Sequence, residues 1–239
     1  MNKATMKKIT LITFLILSVI YINNSQAQDA SSDSTKVDPL FNFYAGIYNI
    51  SNQFEDREIA RMALYHLLLM SPNKSAILDS LSLSYYDDQK WVPTILTSTE
   101  NLKLNPDNEL AMELSAISYQ NLGIQEKALE QYESLFLKNN QTLTLYKVAF
   151  LQYELSRYQE ASASAEILLK RTDIADQKLY FPKVDKSQQE VSMKSALLNL
   201  KGLIAIANGN ITEAKEFYLE ALKETPGFEV AQKNLAAAK

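Results

Sequence analysis

The sequence predicts an all-α chain of stacked helical hairpins, a solenoid, and three observations predict it. Pro72 and Pro106 stand 34 residues apart, each closing an apolar-periodic stretch in the pattern SPN or NPD, and TPG at Pro226 has the same form. A spaced series recurs as Ala116, Tyr119, Gly123, Ala128, Tyr132, Leu135, then as Ala149, Gln152, Ser156, Ala161, Ala165, Leu168, and again as Gly202, Ala205, Gly209, Ala214, Tyr218, Ala221, with intervals of 3, 4, 5, 4 and 3 each time. Internal periods of this length mark repeat architectures. The composition agrees: 46% hydrophobic and 22% charged residues, with five Gly and no Cys, is a globular balance that excludes a disordered chain, a collagen-like fibre and a disulfide-stapled miniprotein.

The first segment differs from everything after it. Lys3, Lys7 and Lys8 precede an uncharged, mostly apolar stretch over residues 9–22, followed by the polar run NNSQAQ. That stretch is shorter than the roughly 20 apolar residues a membrane-spanning helix needs. Ser25 and Ala27 put small side chains where a signal peptidase requires them, so residues 1–27 are expected to be a signal peptide cut between Ala27 and Gln28. An uncleaved anchor is the alternative. Cleavage removes three positive charges and no negative ones, making the chain more acidic than its net charge of -4. No stable membrane insertion is expected once it is removed. The junction looks bacterial, so the periplasm is the expected address, with release outside the cell the alternative. Residues 28–40 are too polar at their start to bury anything and are expected to form a flexible leader.

The repeated series resembles the tetratricopeptide repeat, a helix-turn-helix unit of 34 residues. The resemblance implies five repeats, over residues 41–74, 75–108, 109–141, 142–175 and 195–228, wound as a right-handed superhelix and closed by a capping helix over 229–238. Small residues (Ala116, Ala149, Gly202) are expected where the two helices of a hairpin cross, with Ala128, Ala161 and Ala214 serving the facing helix. Gly123 and Gly209 are expected at the turn, where a left-handed backbone suits glycine. Two repeats depart from the pattern: Tyr48 holds a small-residue position in the first, and Thr94, Ser98 and Asn101 replace Ala, aromatic and Ala in the second. An insertion over 176–194 breaks the period. Within it, Ser187 and Glu190 form a capping box, which predicts a helix running on through Val191, Leu198, Gly202 and Ala205. Leu179, Tyr180 and Phe181 are then left in a loop, expected to tuck into the neighbouring hairpin.

Reactive constellations are missing from the sequence. His66 is the only histidine and there is no Cys, so no transition-metal site of the usual kind can be assembled. Ser-His-Asp chemistry would need His66, yet no GxSxG nucleophile elbow exists. The five Gly are scattered rather than clustered into a phosphate loop. Asp87 and Asp88 lack the alternating oxygen ligands of a calcium loop. No enzyme activity, metal or cofactor is expected. Nucleic acid is also not an expected partner, because the chain is net acidic and holds no basic block.

The resemblance implies a binding groove lined by the first helix of each repeat. Its candidate residues are Asn49 and Asn52 in the first repeat, Leu83 and Tyr86 in the second, Ile117 and Gln120 in the third, Tyr146, Phe150 and Tyr153 in the fourth, and Asn199 and Leu203 in the fifth. Asn49 matches one position of the carboxylate clamp found in cytosolic chaperone-binding members, but Ala45 stands where a lysine would be needed. An aromatic patch of this kind suits a peptide with apolar side chains; the alternative is that Tyr146, Phe150 and Tyr153 pack against the next hairpin or the insertion. The function expected is a non-catalytic scaffold that binds a protein or peptide outside the cytoplasm. The rivals are an assembly factor or chaperone for envelope or secreted proteins, which would bind many unfolded chains, and a self-associating structural protein.

Overall fold

The computed structural model describes residues 38–239. The expected signal peptide, residues 1–27, and the leader as far as residue 37 lie outside the described residues. The chain divides into two compact units, one ending at Leu81 and the other running from Ser82 to Lys239.

The first unit holds α1 (Pro39–Gln53), α2 (Arg57–Met70) and the opening turns of α3 (Lys74–Asp87). Helix α1 starts two residues inside the expected leader. Pro39 sits at its first position, where a missing N–H is harmless, and Asp38 Oδ1 accepts from the Leu40 amide at 2.8 Å. Helix α2 opens the same way, with Asp56 Oδ1 accepting from Ile59 N at 3.2 Å. The two helices pack on each other. Ala60, Ala63, Leu64 and Leu67 are buried, and the ring of Tyr44 stacks on His66 with centroids 4.1 Å apart. The lone histidine is thus a packing residue.

The second unit continues with α4 (Trp91–Leu104), α5 (Glu109–Asn121), α6 (Gln125–Asn139), α7 (Thr142–Glu154), α8 (Tyr158–Leu169), strands β1 (Lys178–Pro182) and β2 (Gln188–Ser192), then α9 (Met193–Ala207), α10 (Ile211–Glu224) and α11 (Glu229–Ala237). From α4 onward each helix packs on the next, the arrangement of an all-α solenoid. One apolar cluster runs from α5 to α9 through Met112, Leu129, Tyr132, Leu151, Leu168 and Leu197. Helix α4 is the exception, because its inward side chains are Thr94, Ser98 and Asn101, all fully buried. Thr94 Oγ1 answers this by donating to the Lys90 carbonyl at 2.9 Å. Ser98 Oγ has no hydrogen-bond partner among the described residues.

The period is written in the backbone. Glu55, Gln89, Gly123, Ser156 and Gly209 each take a positive φ, between 57° at Gln89 and 81° at Gly209. In each case the following residue's N–H reaches back five residues: Asp56 to Ser51, Lys90 to Tyr85, Ile124 to Tyr119, Arg157 to Gln152 and Asn210 to Ala205, all at 2.8 or 2.9 Å. This is the helix-ending bond of a left-handed cap. Only two of these five positions carry the glycine that this conformation favours.

The insertion corrects the sequence expectation. Residues 187–192 do not open a helix; β1 and β2 form an antiparallel hairpin in which Lys178 faces Ser192 and Pro182 faces Gln188. Ser187 instead binds Asp185 within the hairpin's turn, its amide donating to Oδ1 at 2.9 Å. Glu190, the other half of the expected capping box, pairs across the strands with Lys178. Helix α9 starts later, at Met193, capped by Ser192 Oγ accepting from Ser195 N at 3.1 Å. Side chains alternate in a strand, so Leu179, Phe181 and Val191 turn inward, onto a cluster with Ala196, Ala221, Phe228 and Ala231. Tyr180 turns outward and is 61% exposed. At the tip, Glu229 Oε2 on α11 accepts from Val184 N at 2.8 Å.

Candidate functional site

The candidates in the first unit, Asn49 and Asn52, are exposed on α1. In the second unit the candidates fall at repeating positions on α3, α5, α7 and α9. Leu83, Ile117, Phe150 and Leu203 share one position, and all four are half-buried. Three residues further on stand Tyr86, Gln120 and Tyr153, of which Gln120 is exposed and the two tyrosines half-buried.

Four of these residues come together. Ile117, Tyr146, Phe150 and Tyr153 all pack on the cluster that runs from α5 to α9. Tyr146 goes deepest, also touching the cluster under the β-hairpin, and burial pushes its phenol well above the ordinary tyrosine range. Its ring is therefore packed between the two clusters. Tyr153 stays nearer the surface beside Tyr158, with ring centroids 5.8 Å apart, and its phenol is raised by burial and then by Tyr158 and Glu154. Tyr86 lies edge-on to Trp91 at 5.8 Å, its phenol raised by burial and then by the carboxylates of Glu113 and Asp87. Asn199 is drawn elsewhere. It is 6% exposed, and its Oδ1 accepts from Asn234 Nδ2 of α11 at 2.8 Å, so the closing helix engages this amide.

One charged group was missed by sequence reasoning. Lys147 Nζ donates to the Tyr132 hydroxyl at 3.0 Å and lies 4.8 Å above the centroid of the same ring. Burial raises that phenol, and the negative charge of Glu113 adds to the effect. A lysine inside the apolar run TLTLYKVAF was the available signal, since such a side chain needs an acceptor or a ring to rest on. Among the described residues, no group of three or more His, Cys, Asp or Glu is placed to hold a metal ion, and no helix is long and apolar enough to cross a membrane.

Comparison with solved structures places this arrangement. A tetratricopeptide repeat protein from Parabacteroides merdae superposes with a TM-score of 0.63 at 18% identity, covering 84% of this chain and 73% of its own. YrrB, described as a tetratricopeptide-repeat protein with an unusual peptide-binding site, gives 0.63 at 12% identity over 83% of this chain and 91% of its own. The chain has the tetratricopeptide-repeat fold. MamA shares it, with a TM-score of 0.60 at 15% identity over 77% of this chain and 91% of its own. No family model and no curated protein matches the sequence. In tetratricopeptide-repeat terms, α3, α5, α7 and α9 are the first helices of their hairpins, and the row from Leu83 to Leu203 lies along them.

Proposed function

We propose that the chain is a protein-binding scaffold that works outside the cytoplasm, holding a partner segment along the first helices of its second unit. The observation that carries the reading is the pair of repeating rows, Leu83, Ile117, Phe150 and Leu203, and Tyr86, Gln120 and Tyr153. They keep part of their aliphatic and aromatic surface open along successive first helices. Side chains of this kind bind through area burial and ring stacking, with Gln120 free to take a backbone amide. The peptide-binding site in the description of YrrB points the same way. The partner segment is one with apolar side chains, extended or helical. Location rests on residues 1–27, with their basic start, apolar stretch and small-residue junction.

Affinity purification from the native envelope, followed by mass spectrometry, tests the scaffold. The comparison is wild type against Tyr86→Ala/Tyr153→Ala, with Tyr146 left intact because its removal would open the core. Loss of the recovered partner at unchanged circular dichroism supports the groove, and undiminished recovery overturns it. A set of unrelated unfolded chains, all bound by the protein, would favour a general chaperone instead. Intact mass of the exported chain checks the location: a species that retains Met1 contradicts cleavage after Ala27.

A further inference from the structure

The first helix presents a surface that the groove reading leaves unused. Leu40, Phe43, Ile47, Ile50 and Phe54 follow one another at intervals of 3, 4, 3 and 4 along α1 and its C-cap. Four of them are open, with Leu40 49%, Phe43 60%, Ile50 58% and Phe54 75% exposed, and Ile47 at the middle is half-buried. This interval is the seam spacing of paired helices, in which each apolar side chain seats between those of the facing helix. Helix α1 also carries no charged residue at all; the amides of Asn42, Asn49 and Asn52 flank the stripe. An exposed helix of a globular protein normally surrounds its apolar stripe with charge, as α6 does with Glu126, Lys127, Glu130 and Lys138.

From these features we infer that α1 pairs with α1 of a second copy of this chain. A copy necessarily offers the matching seam, and no like charges meet when the two helices approach. Ile47 is the midpoint of the stripe. It therefore meets its own counterpart whether the two helices run parallel or antiparallel, which makes the surface self-complementary about a two-fold axis. Within the chain, residues 28–37 are too polar to cover the stripe. Residues 9–22 are apolar enough, but the cleavage proposed above removes them. A helix of this length extends about 22 Å. One such seam falls at the small end of specific interfaces, so the dimer is expected to be a weak one that dissociates on dilution.

Sedimentation velocity on the chain purified from the cell that makes it, over a concentration series, reads the assembly directly. The expected result is a monomer–dimer equilibrium that Phe43→Glu/Ile50→Glu weakens by at least about 100-fold, while Leu137→Glu on α6 leaves it unchanged. Both substituted side chains are largely exposed, and circular dichroism checks that the variant folds. If it does not, Ile47→Cys decides: the chain has no other cysteine, so mild oxidation should give a covalent dimer at concentrations near the dissociation constant. A wild type that stays monomeric, because another partner or residues 9–22 occupy the stripe, overturns the inference. So does a dimer indifferent to the glutamates, or an Ile47→Cys chain that does not cross-link.

Discussion

Gly202 lies so close beneath the ring of Tyr218 that a Cβ at position 202 would stand 2.3 Å from Tyr218 Cε1 and 2.6 Å from Cδ1. Both residues are buried where α9 crosses α10, and the crossing is tied by Ser195 Oγ donating to the Ala221 carbonyl at 2.7 Å. Alanine normally gains about 1 kcal/mol over glycine in a helix interior. Here the ring has to move and the gain is reversed. Gly202→Ala is expected to destabilise the protein by about 1–3 kcal/mol, and a smaller residue at 218 to relieve much of that. Gly46, on α1, is the opposite case, because a Cβ there meets nothing within 4 Å among the described residues. Gly46→Ala should stabilise by about 0.5–1 kcal/mol. Urea unfolding of the two variants checks the pair; equal signs would refute the close approach.

The left-handed turns offer a second test. Glu55, Gln89 and Ser156 adopt φ of 58°, 57° and 60°, in a conformation that Gly123 and Gly209 adopt at 73° and 81°. A side chain strains that conformation, while glycine's larger unfolded entropy takes back part of the benefit. Each of Glu55→Gly, Gln89→Gly and Ser156→Gly should stabilise by about 0.5–1 kcal/mol, and Gly123→Ala should destabilise by a similar amount. Thermal melts followed by circular dichroism would show it.

The β-hairpin predicts a contrast between adjacent residues. Phe181 packs on Phe228 with ring centroids 4.9 Å apart, whereas Tyr180 points away and is 61% exposed. Phe181→Ala is expected to lower stability by about 2 kcal/mol, and Tyr180→Ala to stay within about 0.5 kcal/mol of wild type. The same unfolding assay decides; a silent Phe181→Ala would mean that the hairpin does not brace the helices under it.

Alkaline pH should unfold the second unit by a predictable route. Burial, with a smaller push from Tyr153, lifts the Tyr218 phenol to about 12 from an ordinary 10.0, and burial lifts Tyr132 and Tyr146 as well. The folded state thus holds these protons more tightly than the unfolded one. Their contribution is complete below pH 10; that of Tyr218 is lost as pH rises through about 12, and those of Tyr132 and Tyr146 are lost at still higher pH. Stability measured by urea titration should fall across that window, together with a late rise in tyrosinate absorbance. Tyr218→Phe should flatten the fall; an unchanged slope would count against the buried phenol.

Much of the fold was legible in the sequence because the signals are local and recur. Small residues at helix crossings, such as Ala116, Ala149 and Gly202, and glycines at the turns, Gly123 and Gly209, answer to steric rules that act within one hairpin. The hairpin strands were not legible. Gln188–Ser192 holds a single apolar residue, and Ser187 with Glu190 satisfies a helix-capping rule; pairing with Lys178–Pro182 and the burial of Val191 outweigh that rule. The groove positions that the tetratricopeptide resemblance implies fall on α3, α5, α7 and α9. The resemblance could not separate Tyr146, which two clusters enclose, from Tyr153, which remains near the surface. Nor could it foresee that Asn199 would bind Asn234, 35 residues away.

The sequence by itself determined the hairpin pattern, the close-approach sites and the positions along the first helices, because each follows from side-chain size and backbone preference that recur from one hairpin to the next. The tertiary structure alone decided that the insertion is a β-hairpin, which aromatic rings are buried, and that no described residue covers the stripe on α1. Those outcomes depend on which distant residues arrive to pair a backbone or cover a side chain, and the period of a chain carries no record of them.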